Sequence, residues 1–105
     1  MFPELEKLSE ELSKQIAKVS VEYDDLMEAW AKATAPLEAD YFPLHPISIN
    51  KWYLKTGDDC LYSVNNDGKW ESLARNEETH RMRLRVVTTF PKFIENVEAK
   101  IRQQL

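Results

Sequence analysis

Few residues of this chain have types and spacing that could do chemistry. Cys60, with His45 or His80, supplies the groups for a thiol nucleophile and its base. Cys60 falls in a stretch that reads as a strand, however, where a small buried hydrophobe is the default. A lone histidine such as His45, set between Leu44 and Pro46, is ordinarily a packing or hydrogen-bonding residue. Asp58, Asp59 and Asp67 lie beside or near glycine and could offer oxygen ligands to a divalent cation. The alternating ligands and distal glutamate of a calcium loop are absent, so ordinary turn chemistry and no metal are expected. There is no Gly-rich phosphate loop, and the chain has only 2 glycines, few for an enzyme that must bring backbone close to substrate. Neither a catalytic residue nor a cofactor is expected.

The strongest polar feature is Arg81, Arg83 and Arg85, joined by Lys92, with no acidic residue between His80 and Lys92. Three arginines at alternate positions project from one face of a strand; on a helix Arg81 and Arg85 align with Lys92 while Arg83 points elsewhere. Trp52, Tyr53, Tyr62 and Trp70 could add stacking platforms for a single-stranded nucleic acid. Against this stand a net charge of −4, the absence of a nucleic-acid-binding signature, and Glu71, Glu77, Glu78 and the acidic first helix as neutralising partners.

The element that must position everything else is the first third of the chain. Leu5, Leu8, Leu12, Ile16, Val19, Tyr23, Leu26, Trp30, Ala33 and Leu37 recur at steps of three and four, heptad-like except for one stutter near Leu12. Pro3 suits the first helical position, with Glu4 and Glu6 complementing the dipole. Pro36 ends the helix by residue 35. A helix of about 30 residues is about 45 Å long whereas a strand spans only about 20 Å, so part of the stripe should outrun any small sheet. The regular heptads over Ile16, Val19, Tyr23, Leu26 and Trp30 are the expected partner-binding surface, and the Leu5 to Leu12 end is expected to serve a different neighbour.

Residues 36–46, with three prolines among Tyr41, Phe42 and Leu44, read as a loop pinned by aromatic side chains. From residue 47 the period becomes two: residues 47–55, 60–64 and 69–73 read as strands, separated by turns at 56–59 and at Asn65-Asn66-Asp67-Gly68. Residues 80–90 fit two patterns. Helical spacing runs through Met82, Val86 and Phe90, with Asn76 as a possible cap. Alternation from His80 onward, β-branched towards its end and leading up to Pro91, favours a fourth strand and a new helix over residues 91–105.

The expected architecture is a single α+β domain over residues 1–105. It has a long N-terminal amphipathic helix (1–35), a Pro-rich loop (36–46), a three- or four-stranded antiparallel β-meander (47–90) and a C-terminal amphipathic helix (91–105), with both helices on one side of the sheet. Residues 1–35 hold eight carboxylates against four lysines and so carry the whole net charge of −4, which suits a chain kept from non-specific association. A single cysteine fits a reducing compartment. The charged residues among the first twenty do not fit the apolar core of a signal peptide, and no uncharged run reaches membrane-span length. A cytoplasmic protein with no membrane association is expected. The functional expectation is a small non-enzymatic interaction module, an adaptor or inhibitor-like regulator, forming a homodimer through its first helix. A nucleic-acid-binding module using Arg81, Arg83, Arg85 and Lys92 is the alternative, and a small enzyme ranks third.

Overall fold

A computed structural model describes residues 1–44 and 52–105. Helix α1 spans Pro3–Thr34, strands β1 to β4 span Tyr41–Pro43, Tyr53–Lys55, Leu61–Val64 and Trp70–Ser72, and helix α2 spans His80–Gln104 after a short 3-10 turn at Arg75–Glu77. The strands form one antiparallel meander in the order β1-β2-β3-β4. The layout is the expected α+β arrangement, with two corrections to its parts.

The first concerns the fourth strand. Residues 80–90 are not a strand; they are the first half of α2, which runs without interruption through Pro91. Helical period beats alternation here because Val86, Phe90, Phe93 and Val97, spaced by four, three and four, are all buried against the core. The Thr79 hydroxyl accepts from the Met82 amide at 3.2 Å, so Thr79, not Asn76, caps this helix. In the turn before Pro91 the Thr88 and Thr89 hydroxyls donate to the carbonyls of Leu84 and Arg85 at 3.0 and 2.8 Å.

The second correction supplies the missing strand. β1 lies inside the segment expected to be loop, and its register sets Tyr41 opposite Lys55, Phe42 opposite Leu54 and Pro43 opposite Tyr53. Pro43 is tolerated because β1 is an edge strand, where a missing N–H costs the sheet nothing. The part of the expected strand over residues 47–51, together with His45, lies outside the described residues.

Alternation sorts the sheet into two faces. Phe42, Leu54 and Leu61 point into the core, where they meet Tyr23, Met27 and Trp30 of α1 and Val86, Phe90, Phe93 and Val97 of α2. Both helices therefore lie on one side of the sheet. The Trp30 ring packs at 5.1 Å from Phe93 and edge-on at 6.0 Å from Phe42, joining both helices and the sheet at one residue. The Trp30 indole N–H donates to the Lys55 carbonyl at 2.9 Å. Thr34 donates to the Trp30 carbonyl at 2.7 Å and accepts from the Gly57 amide at 2.8 Å. The C-terminal half of α1 is thus fastened to the turn after β2, a turn that needs Gly57 at φ +77°.

Among the described residues the N-terminal half of α1 has no such fastening. The principal extents are 61 × 30 × 23 Å and the radius of gyration is 16.2 Å, against about 13 Å for a compact chain of this length. The excess is the helix projecting beyond the sheet.

Candidate functional site

The helical stripe divides at Val19. Leu5, Leu8, Leu12 and Ile16 are 61%, 51%, 54% and 37% exposed, and Phe2 continues the patch toward the tip, whereas Tyr23 and Met27 are fully buried. The same periodicity thus serves two environments. Of the five residues expected to bind a partner, Val19, Tyr23 and Trp30 are buried in the chain's own core and Leu26 is half-buried against it; only Ile16 remains exposed. The regular heptads fit the sheet and α2, and the end before the stutter is the part left over. Residues 3–18 make up about 24 Å of helix at about 1.5 Å per residue. Such a patch, rimmed by Glu4, Glu6, Lys7, Glu10 and Glu11, has the composition of an interaction surface.

Where α1 enters the body, a polar cluster closes the core. The side chain of Glu78 is only 2% exposed and accepts a hydrogen bond from the Tyr23 hydroxyl. Arg75 donates to Asp24 at 2.6 Å, stands 3.4 Å from an Asp59 oxygen and lies 3.9 Å from Glu78. Burial disfavours the Arg75 charge, but Glu78, Tyr23, Asp24 and Asp59 together outweigh it and strengthen its hold on the proton. The guanidinium groups of Arg75 and Arg83 lie 5.5 and 5.9 Å from the centre of the Tyr23 ring. Burial, then the bond to Glu78, holds the Tyr23 hydroxyl protonated well beyond the ordinary tyrosine range. In the sequence Glu78 reads only as a neutralising partner for the arginines, because nothing local announces a contact across 55 positions.

The expected basic patch is divided. Arg83 turns toward Tyr23 and donates to the Arg75 carbonyl at 3.4 Å. Arg81 and Arg85 instead border a groove of about 670 Å³ whose walls include Trp52, Leu61 and Val86. Lys92 is exposed and lies 3.4 Å from Glu95. On the opposite face of the sheet, Tyr41 stacks on Trp70 at 3.7 Å, with Tyr53 edge-on to Trp70 at 4.8 Å and Tyr62 edge-on to Tyr41 at 5.5 Å. These rings lie on the other side of the sheet from the arginines and pack on one another, with Tyr41, Tyr53 and Tyr62 half-buried and Trp70 exposed. Trp52, expected among them, packs toward the core.

Asp58, Asp59 and Cys60 bring three donor atoms within 4.8 Å of one another, yet each is already engaged. Asp58 accepts from the Tyr62 hydroxyl and, at 2.9 Å, from the Asp59 amide. Asp59 accepts from the Cys60 thiol at 3.7 Å and faces Arg75. Burial, then the adjacent Asp58 and Asp59 carboxylates, pushes the Cys60 thiol up to about 11, the reverse of what a nucleophile or thiolate ligand requires. Asp67 belongs to the β3–β4 turn, its amide donating to the Asn65 side chain at 2.9 Å. Among the described residues no helix is long and apolar enough to cross a membrane. No protein-family model, curated protein or solved structure matches this chain.

Proposed function

We propose that this chain is a non-enzymatic protein-interaction module, an adaptor or inhibitor-like regulator of the cytoplasm, that self-associates through the free end of α1. One observation carries the reading: Phe2, Leu5, Leu8, Leu12 and Ile16 form a continuous apolar stripe on a projecting helix that nothing among the described residues covers. An isolated helix of this length is marginal in water, and its apolar face gains free energy only when another surface removes it from solvent. Helical spacing selects a helix as the complementary surface. The test is light scattering on the wild type and on Leu12→Asp: a dimer that becomes a folded monomer supports the reading, and a wild type that stays monomeric refutes it. Nucleic-acid binding draws less support, since Arg83 is engaged within the chain and the aromatic rings face away from Arg81 and Arg85.

A further inference from the structure

We infer that the occupant of the exposed stripe is the same stripe of a second copy, lying antiparallel across a two-fold axis between residues 10 and 11. The inference rests on the self-association reading and adds to it an orientation and a register.

The fold itself rejects the parallel arrangement. The exposed stripe continues along one face of α1 into Val19, Tyr23, Met27 and Trp30, which pack against the sheet and α2. The body of the molecule therefore lies on the stripe side of the helix. Helices that pack together bring their axes to about 8–10 Å, whereas even the narrowest extent of this molecule is 23 Å. A second helix laid parallel and in register on the stripe would drive its own body into the same space. Reversed, the second body lies at the opposite end of the paired segment, beyond residue 3 of the first helix and away from the first body. Residues 3–18 of each copy then overlap along their whole length, and the two-fold axis falls at their midpoint.

Charge selects the same register independently. Glu4, Glu11 and Lys18 recur every seven residues, each immediately before an apolar stripe residue, Leu5, Leu12 and Val19. All three are exposed, and none makes an ion pair within the chain among the described residues. A two-fold axis perpendicular to the helices brings this flank against its own copy. With the axis at the midpoint of the overhang, Glu4 of each copy meets Lys18 of the other, and Glu11 meets Glu11. In a parallel pair the flank would instead face Ser9 and Ile16 and form no ion pair. Residues 1–11 carry four glutamates and one lysine, while 12–21 carry Lys14 and Lys18 and no acid, so only the reversed pairing sets acidic against basic halves. The acidic tip also disfavours an anionic membrane surface as the occupant, because interfacial helices that bind such surfaces carry basic polar faces.

The experiment uses the full chain in a Cys60→Ser background, with Leu5→Cys and Ile16→Cys as separate variants under mild oxidation. A disulfide needs Cα atoms within about 7 Å. The antiparallel register therefore predicts a mixed Leu5→Cys with Ile16→Cys disulfide on combining the two, with little homodisulfide from either alone. Glu11→Gln should tighten the wild-type dimer a few-fold by removing the one like-charge contact. Lys18→Glu should weaken it about ten-fold, and mixing it with Glu4→Lys should restore pairing. A dimer that gives the Leu5→Cys homodisulfide overturns the orientation and leaves self-association standing. A wild type monomeric at every concentration overturns both, as does a monomer that binds phosphatidylcholine vesicles through the stripe.

Discussion

The two halves of α1 have one periodicity and opposite fates. Residues 19–34 send Tyr23, Met27 and Trp30 into the core between the helices and the sheet and tie Thr34 to the turn after β2, while residues 3–18 send Leu5, Leu8 and Leu12 into solvent. Apolar spacing thus specifies a helix and a face, and says nothing about whose surface that face meets. The sheet decides it: strands of three or four residues support about half of a 32-residue helix, and α2 runs beside the same half.

The sharpest way to break this comparison is to truncate one residue in each half. Trp30→Ala removes the ring shared by α1, β1 and α2 and should destabilise the fold by about 3–5 kcal/mol. Measured by thermal or urea unfolding of dilute protein, Leu12→Ala should lie within about 0.5 kcal/mol of wild type. If Leu12→Ala proved as costly as Trp30→Ala, the exposed half would belong to the folding unit. Association should show the reverse ordering. Leu12→Asp should weaken the dimer by about 100-fold or more, since a carboxylate would have to be desolvated in the seam, while leaving the helical circular dichroism of the body intact.

The polar closure offers a smaller, pH-dependent contrast. Tyr23→Phe leaves the buried Glu78 without its donor and should cost about 1–3 kcal/mol near neutral pH. The Tyr23 hydroxyl binds its proton more tightly in the folded state than in the unfolded state. Its contribution is therefore complete below the unfolded value of about 10 and is lost as pH rises through and beyond that value. Wild-type melting temperature should fall above pH about 10, and more gently in Tyr23→Phe. The smallest effect is expected from Thr34→Val, which removes the acceptor for the Gly57 amide and should cost about 1 kcal/mol; Ser13→Val, at an exposed position of the other half, should not change unfolding.

Much of the fold was legible from the residues. Pro3 and Pro36 bracket α1, and Asn65 with Gly68 marks the β3–β4 turn, where the Gly68 amide donates to the Asn65 carbonyl at 3.0 Å and Gly68 sits at φ +77°. These signals are local, and local chemistry enforces them. What could not be read depends on distant neighbours. Tyr41–Pro43 is a strand only because Tyr53–Lys55 pairs with it, and three residues ending in a proline have no period to detect. Arg81 to Thr89 alternates as well as any strand, and the winning face, Val86 with Phe90 and Phe93, shows itself only once a core exists to receive it. The stripe was legible as a helical face, but which half of it the body covers was not. Regular heptads attracted the expectation, and they were the ones the body had already taken.

The central claim, that the N-terminal half of α1 is an unpaired seam for a second copy, is tested most directly by sedimentation equilibrium of wild type and Leu12→Asp from about 1 μM to 1 mM, a range that brackets weak helix-mediated dimers. The account predicts a concentration-dependent dimer for the wild type and a folded monomer for the variant at every concentration. A wild type that sediments as a monomer throughout, or a variant that still dimerises, would contradict it.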